Sequence, residues 1–414
     1  MSTNNIDVLV VGGGISGLAN GVALSRQGLR VRVLERASRF GEVGAGLQLA
    51  PNCTRILSSW GLLEEVKALG VLPKRIVMKD AVDGRELTYL DLADAERRYG
   101  FPYLVMHRSD LHATLLRACQ RAGVELINNA NVTGFEQAEG GAAVIYGDER
   151  EFAPVVLAAD GLYSTARSSF SDDEPVSSAY VAYRGAIPIE MVERLNVDLH
   201  AVVLYIGPKC HFVQYPLRKG EMFNQVAVFE SPKALAGDAD WGTPDELDAA
   251  FAGTCDDIRA GLPLMWRDRW WRMFDRDPIM NWVQGRIALT GDAAHAPLQY
   301  LAQGAIMAIE DAWVLGEHAG VNRPASRVDW DPVLAAYNAV RPEHCRRVVT
   351  TARAWGDFWH HRPGSYREWR NRVLLERDIY DYSFIDWLYG PTALTPEQEP
   401  PMFTPLKAEV PAGA

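Results

Sequence analysis

Two polar side chains in an apolar segment have the spacing of one face of a β-strand. In the segment CHFVQYP, strand alternation places His211, Val213 and Tyr215 on one face and Cys210 on the other. Histidine titrates near neutral pH and can accept the proton of a phenol, so His211 is a candidate general base. The alternative for a lone histidine, a hydrogen-bonded structural role, stays open from the spacing.

A second group of residues has the spacing of a dinucleotide site. Gly12, Gly14 and Gly17 form the pattern G-x-G-x-x-G, and Glu35 follows 18 residues later. The first glycine permits a tight turn, the second lets N–H groups approach a pyrophosphate, and the third allows close helix packing. A carboxylate such as Glu35 accepts hydrogen bonds from an unphosphorylated ribose, as in FAD or NAD. A glycine-rich turn without a nucleotide is the alternative.

The elements that carry these residues alternate between strand and helix. An apolar run at residues 6–11 precedes the glycine turn, a helix and a second strand, which is half of a doubly wound sheet. Two later strands, at 155–159 and 286–290, run into Asp160 and Asp292. Both carboxylates therefore stand at the carboxyl ends of strands, where open α/β sheets bind ligands.

Composition narrows the function classes. The 414 residues suggest two or three domains, and 48% hydrophobic with 23% charged residues is typical of a globular protein. A net charge of −11 without a basic stripe argues against nucleic acid as a partner. There is no apolar stretch of transmembrane length and no signal-like N-terminus, so we expect a cytoplasmic protein. The five scattered cysteines predict neither a disulfide framework nor a metal site.

The middle of the chain is predicted to form strands, and the end is predicted to form helices. Residues 176–230 read as antiparallel strands, with a turn at 218–221. From about residue 326 the chain is predicted to be helical and rich in aromatic residues, which suits a homodimer contact or a plain core. A Pro-rich tail from Pro391 is expected to be mobile.

Three motifs together make the chain similar to the single-component FAD-dependent aromatic hydroxylases. They are GGGISG (12–17), DGLYSTAR (160–167) and GDAAHAPLQYLAQGA (291–305). The resemblance covers residues 6 to about 350. It implies an α/β fold, in which a Rossmann-like FAD-binding domain carries an inserted antiparallel-sheet substrate domain and a helical C-terminal segment. The expected division is 1–175 and 281–325 for FAD, 176–280 for substrate, and 326–414 for the helical segment with its mobile tail.

The same resemblance implies FAD, bound tightly but non-covalently, with NADH or NADPH as a transient co-substrate. In that family the first motif holds the ADP half, the second contacts the pyrophosphate region, and the third places Asp292 on the ribityl chain. The N-terminus of the following helix lies under the flavin, where its positive end stabilises the anionic reduced form. For Arg108 the alternative is a surface ion pair with Asp110. The expected FAD contacts are Gly12, Gly14, Gly17, Glu35, Arg36, Ala45, Arg108, Val132, Asp160, Gly161, Asp292, Gly304 and Ala305.

Four longer segments resemble the bacterial 3-hydroxybenzoate 6-hydroxylases, which make gentisate. They are GPKCHFVQYPL (207–217), GEMFNQVAVFESP (220–232), RDRWW (267–271) and GDAAHAPLQYLAQGAIMAIEDA (291–312). This resemblance implies that His211 is the base, that Gln299 bonds the phenolic oxygen, and that Tyr215 positions the substrate. It further implies oxygen transfer para to the hydroxyl through a C4a-hydroperoxyflavin.

Several alternatives remain at this level. One alternative within the same class is a hydroxylase of another phenolic or heteroaromatic acid such as salicylate. The alternatives from other classes are a flavin dehydrogenase, an oxidase and a non-enzymatic FAD-binding protein. The expected partners are a small aromatic acid and O2. The sequence does not distinguish NADH from NADPH, and it identifies no group that pairs with the substrate carboxylate.

Overall fold

A computed structural model describes residues 6–41, 44, 46–323 and 327–400. Within them the strands are β1 (Val8–Val11), β2 (Val31–Leu34), β3 (Gly46–Leu49), β4 (Arg75–Asp80), β5 (Glu86–Asp91), β6 (Leu104–His107), β7 (Glu125–Ile127), β8 (Val132–Ala138), β9 (Gly141–Tyr146), β10 (Glu149–Ala153), β11 (Val155–Ala158), β12 (Val176–Pro188), β13 (Ala201–Gly207), β14 (Cys210–Leu217), β15 (Met222–Glu230), β16 (Trp271–Asp275), β17 (Val283–Gln284) and β18 (Ile287–Leu289). The helices are α1 (Ile15–Arg26), α2 (Pro51–Ser59), α3 (Leu63–Leu69), α4 (Leu92–Tyr99), α5 (Arg108–Arg121), α6 (Pro232–Leu235), α7 (Pro244–Phe251), α8 (Asp256–Gly261), α9 (Asp292–His295), α10 (Gly304–Val321), α11 (Trp330–Trp359), α12 (Ser365–Glu376) and α13 (Asp386–Tyr389).

The first large sheet brings the three motifs to one edge. Its strand order is β17-β18-β11-β1-β2-β7, with β1 parallel to both β2 and β11, and β11 parallel to β18. The strands that precede the three motifs are therefore neighbours, and their carboxyl ends meet. The predicted strands at 6–11, 155–159 and 286–290 are confirmed, each within three residues of its observed bounds.

Two glycines fix the turn between β1 and α1. Gly12 has φ +108°, and a Cβ on it would lie 2.2 Å from the carbonyl oxygen of Ala159. A Cβ on Gly17 would lie 1.8 Å from the carbonyl oxygen of Gly12. No side chain fits at either position, so the close approach of α1 to the sheet depends on both glycines.

The second large sheet, which we call the substrate sheet, has the order β16-β12-β15-β14-β13-β4-β5. Its central strands β12 to β15 are antiparallel, and β13 pairs with β4 in parallel. The antiparallel strands predicted within residues 176–230 are confirmed. Strands β4 and β5 were not expected here, because residues 75–91 precede the second motif and had been assigned to the FAD-binding part.

The C-terminal segment is helical, as predicted, and packs on both sheets through α11, α12 and α13. The expected mobile tail is ordered up to residue 400: the Thr392 hydroxyl donates to Glu310 at 3.1 Å, and His344 lies 3.3 Å from Glu399. These buried polar partners hold the Pro-rich segment in place. The part of the expected tail at 401–414 lies outside the described residues. Among the helices that are described, none combines the length and apolar character needed to span a membrane.

Candidate active site

A cavity of about 1250 Å³ lies between the motif edge of the first sheet and one face of the substrate sheet. Small-molecule sites commonly measure about 300–1,000 Å³, so this volume suits a dinucleotide and a small substrate together. The expected residues that line it are Gly12, Gly14, Glu35, Arg36, Arg108, Val132, Asp160, Gly161, His211, Tyr215, Asp292, Gln299, Gly304 and Ala305. Gly17 lies behind the wall, against Gly12. Ala45 lies outside the described residues.

The glycine turn forms a cradle for an anion at one end of the cavity. Residues 12–16 line it, and Gly14 is the N-cap of α1 without a side-chain cap of its own. A Cβ on Gly13 would lie 2.6 Å from the Phe40 ring and 2.9 Å from Glu35 Oε2. Uncapped N–H groups at a helix N-terminus favour a phosphate, so the turn fits the pyrophosphate of FAD.

Glu35 contributes to the shape of this turn as well as to the cavity wall. Its Oε2 accepts a hydrogen bond from the Gly13 N–H at 2.7 Å, and its Oε1 accepts one from the Ala37 N–H at 2.8 Å. Each carboxylate oxygen can accept a second hydrogen bond. The expected contact with a ribose diol is therefore compatible with the bonds that Glu35 already makes.

The second motif is attached to the third through a buried arginine. Asp160 accepts hydrogen bonds from the Ser164 hydroxyl at 2.6 Å and from the Thr165 N–H at 2.8 Å, which shapes the loop. Arg167, only 1% exposed, donates to the carbonyl oxygens of Ala293 at 3.0 Å and Ala294 at 2.7 Å. Sequence reasoning treated Arg167 as part of a motif and missed this link.

The third motif presents polar groups to the centre of the cavity. The Asp292 side chain is exposed to it and makes no hydrogen bond within the described part of the chain. Gly304 and Ala305, the first residues of α10, also line it, and the N-cap residue Gln303 provides no side-chain cap. The N–H groups of the first turn are left for a ligand, which fits the electron-rich edge of a flavin.

Arg108 begins α5 and lines the cavity. The alternative interpretation paired it with Asp110. In the structure the Asp110 carboxylate is bound by Arg218, whose Nε and Nη2 lie 2.9 Å and 3.0 Å from its two oxygens. The Asp110 carboxylate is thus bound by Arg218, and the expected contact between Arg108 and FAD stays a prediction.

At the other end of the cavity, His211 stands between two polar partners. It is 1% exposed; its Nδ1 lies 2.8 Å from His360 Nε2, and its Nε2 lies 3.4 Å from Gln299 Nε2. Burial, followed by the nearby His360, holds the pKa of His211 well below its usual range. Burial, followed by the charge of Arg370, lowers the pKa of His360 to about 3. Both imidazoles are therefore neutral near pH 7.

Tyr215 lies at the far end of the same strand face. A Cβ on Gly46 would lie 2.5 Å from the Tyr215 ring, so β3 packs directly on it. Its hydroxyl makes no hydrogen bond to another described residue, and burial raises the pKa of Tyr215. The hydroxyl is protonated and available to donate to a ligand.

Two residues of the wall were missed from the sequence. His360 follows the long helix α11 and reaches His211 across 149 residues, a contact that no local pattern predicts. Arg184 lies on β12 and lines the cavity. Its signal was present, since a single arginine interrupts the apolar run VAYRGAI of a predicted strand.

His295, from the third motif, lies in a buried group of charged residues behind α10. Its Nε2 is 2.6 Å from Asp311 Oδ2, and Arg341 Nε donates to Asp311 Oδ1 at 2.8 Å. Arg341 also bonds Glu310 at 3.0 Å. Cys345 brings a third potential metal-ligand atom within 4.8 Å of those of His295 and Asp311, but the guanidinium already places a positive charge on that carboxylate. We call the group of His295, Glu310, Asp311, Arg341 and Cys345 the charge cluster.

The glycine cradle, the uncapped start of α10 and the shared cavity define a flavin-binding enzyme cleft. The FAD binding domain family matches residues 5–352. The 3-hydroxybenzoate 6-hydroxylase of Polaromonas naphthalenivorans (strain CJ2) is 37% identical over 94% of this chain and 98% of its own. A 3-amino-4-hydroxybenzoate 2-monooxygenase of Streptomyces platensis is 34% identical over 94% and 97%.

Solved structures of other proteins have a similar fold. A variant of Klebsiella pneumoniae HpxO in complex with FAD is 25% identical, with a TM-score of 0.78 over 90% of this chain and 95% of its own. A salicylate hydroxylase substrate complex has a TM-score of 0.75 at 23% identity, over 94% and 96%, and supports the fold. The chain belongs to the FAD-binding family of aromatic monooxygenases, and FAD is its cofactor.

Proposed function

We propose that this enzyme hydroxylates 3-hydroxybenzoate at position 6, para to the hydroxyl, to give gentisate, with NADH or NADPH as the electron donor. Relatives named for this reaction are 36–37% identical over more than nine-tenths of the chain. The reaction joins one atom of O2 to the ring and releases the other as water, while the nicotinamide supplies two electrons. FAD supplies the chemistry of taking up those electrons and activating O2.

The observation that carries the proposal is the His211 pair at the cavity wall. His360 Nε2, at 2.8 Å, can accept a hydrogen bond from His211 Nδ1–H. That tautomer leaves a lone pair on His211 Nε2, which faces Gln299. His211 is then arranged to take the phenolic proton while the Gln299 amide donates to the oxygen. His360 acts through His211 and is a positioning residue.

The low pKa of His211 does not oppose this role. Burial disfavours an isolated imidazolium, and so His211 stays unprotonated and able to accept a proton. When the phenol transfers its proton, the phenolate formed beside it offsets the cost of the buried cation. A phenolate donates electron density to its ortho and para carbons, which makes position 6 nucleophilic toward an electrophilic oxygen.

The rest of the wall excludes water from the reacting centre. Leu204, Val213 and Val226 face the cavity between the polar groups. Apolar side chains at these positions limit competing reactions with water. Tyr215, at the opposite end of the face from His211, is placed to bond the substrate and fix its direction.

A product assay tests the proposal. Purified holoenzyme is supplied with O2, either nicotinamide, and a panel of acids comprising 3-hydroxybenzoate, salicylate, 4-hydroxybenzoate and 3-amino-4-hydroxybenzoate. We expect rapid nicotinamide oxidation only with 3-hydroxybenzoate and gentisate in step with O2 use. Another hydroxylated product would reassign the substrate. Equally fast oxidation without any acid, and no product, would instead indicate an oxidase or dehydrogenase.

A further inference from the structure

Arg184 is half-buried at the cavity wall, and no described residue pairs with its guanidinium through a hydrogen bond or an ion pair. Its Nε is buried and lacks a hydrogen-bond partner. Within the described residues, the guanidinium makes neither a hydrogen bond nor an ion pair, and it lies 5.6 Å from the centre of the Trp271 ring. Burial lowers the pKa of Arg184, yet arginine keeps its charge at all physiological pH values. A cation without an anionic partner in a largely apolar wall is costly, so a ligand anion is the expected partner.

The register of the substrate sheet places this cation beside the proposed substrate. Arg184 pairs with Val226, and Val226 pairs with Val213. Val213 lies midway between His211 and Tyr215 on β14. Arg184 therefore stands level with the middle of the reactive strand face and two strands to the side, about 10 Å between backbones. A long side chain on the same face spans much of that separation.

The charges around the cavity leave Arg184 without a competing carboxylate. Acidic residues among the described lining are Glu35, Asp160 and Asp292, all at the nucleotide end. The lining near Arg184 contains Tyr215 and the cation of Arg108 beside apolar side chains, and none of the three carboxylates. A net charge of −11 repels an anionic substrate at long range, so its binding must depend on a local cation.

We propose that Arg184 binds the carboxylate of the aromatic acid and thereby selects acids over neutral phenols. This inference rests on the proposed function for the reaction, but it assigns a subsite for any aromatic carboxylate. A planar guanidinium can hold both carboxylate oxygens at once, which fixes direction as well as position. With the carboxylate on Arg184, the meta hydroxyl of the acid is turned toward His211 and Gln299.

The test compares each acid with its carboxamide. Binding of 3-hydroxybenzoate, salicylate and benzoate, each beside its amide, is measured from the change in flavin absorbance of oxidised holoenzyme, without turnover. We expect Arg184→Gln to weaken acid binding by about 10- to 100-fold while amide binding changes little. Arg184→Lys should recover part of the loss, because it keeps the charge but not the two-pronged geometry.

Arg346→Gln is the matched control, since Arg346 also lines the cavity but is paired with Glu343 at 2.6 Å. It should leave the ratio of acid to amide binding unchanged. An equal loss for acid and amide in Arg184→Gln, loss of FAD instead, or a wild type that binds no acid better than its amide would each overturn the assignment. If salicylate or benzoate shows the Arg184-dependent preference while 3-hydroxybenzoate does not bind, the subsite stands and the proposed substrate fails.

Discussion

Two groups of buried histidines stand on either side of the flavin cleft, and they differ in what surrounds them. His211 and His360 contact each other and have no carboxylate partner among the described residues, and burial holds both pKa values down. In the charge cluster, His295 contacts Asp311, while His344 lies 3.5 Å from Glu310, which raises the pKa of His344 despite burial. The same residue type at the same depth is thus neutral in one place and part of an ion network in the other.

The difference shows that the charges around a buried histidine determine whether it can exchange a proton with a ligand or has a structural role. An imidazole without a counter-charge can gain a proton only when a ligand supplies an anion, which couples protonation to substrate binding. A cluster in which Arg341 bridges Glu310 and Asp311 has no such freedom. The following substitutions test this contrast.

Replacing His211 by Ala should have the largest effect. We expect hydroxylation to slow by roughly 10² to 10⁴, the usual contribution of a general base, with FAD retained. Rates of product formation and flavin absorbance after gel filtration measure both. His361→Ala, one position beyond His360, is the control. Near wild-type turnover in the His211 variant would remove it from the mechanism.

Replacing Arg341 by Met should affect stability rather than chemistry. Two carboxylates, Glu310 and Asp311, would remain buried without their cation, and breaking a buried pair in this way costs about 3–5 kcal/mol. Chemical denaturation of the holoenzyme gives the change. Arg346→Met, which breaks the more exposed pair with Glu343, should cost less than about 1 kcal/mol. Similar losses in both variants would contradict a structural role for the cluster.

Replacing His360 by Leu should slow hydroxylation by about 10- to 100-fold, since a supporting partner commonly contributes that much. The loss should fall on kcat more than on KM, and His360→Gln should recover activity because its amide oxygen can accept from His211 Nδ1–H. A change in KM alone, or no rescue by Gln, would assign His360 to packing only.

His360 and His344 should respond to pH with opposite sign. The folded pKa of His360, about 3, lies below the unfolded value of 6.5, so its contribution is present above pH 6.5 and is lost as the pH falls. At pH 5 the loss is about 2 kcal/mol. His344 has a raised pKa, so its contribution is present below pH 6.5 and is lost as the pH rises.

Unfolding free energies at pH 7 and pH 5 therefore distinguish the groups. His360→Gln should flatten the decrease between these values, whereas His344→Gln should steepen it. The carboxylates of the charge cluster do not interfere with this comparison. Their pKa values are lowered in the folded protein, so the stability that they contribute is lost only below about pH 4.5. If the unfolding free energies of both variants changed equally between pH 7 and pH 5, the expected difference between His360 and His344 would be wrong.

Local patterns were sufficient for most of the fold. Glycine spacing, apolar runs and alternation predicted the strands at the motif edge and the face that carries His211 and Tyr215. These patterns failed for β4 and β5, because the parallel pairing of β4 with β13 is set by tertiary contacts. They also failed for Pro391 to Pro400, where proline suggested mobility but buried partners hold the chain. His360 and Arg184 were missed because their roles depend on which distant elements surround them. The described FAD contacts proposed from resemblance line the cavity except for Gly17, and Ala45 lies outside the described residues.

The neighbouring positions of β1, β11 and β18 also set the order in which the protein can be made. Val8 pairs with Val155, and Val156 pairs with Ile287, so the central sheet is complete only after residue 289 leaves the ribosome. Pairing over such distances carries a large loop-closure cost and slows folding. The glycine cradle is synthesised first but gains its walls last. We therefore expect FAD to bind late in synthesis, and an N-terminal fragment that ends before β18 should not retain it.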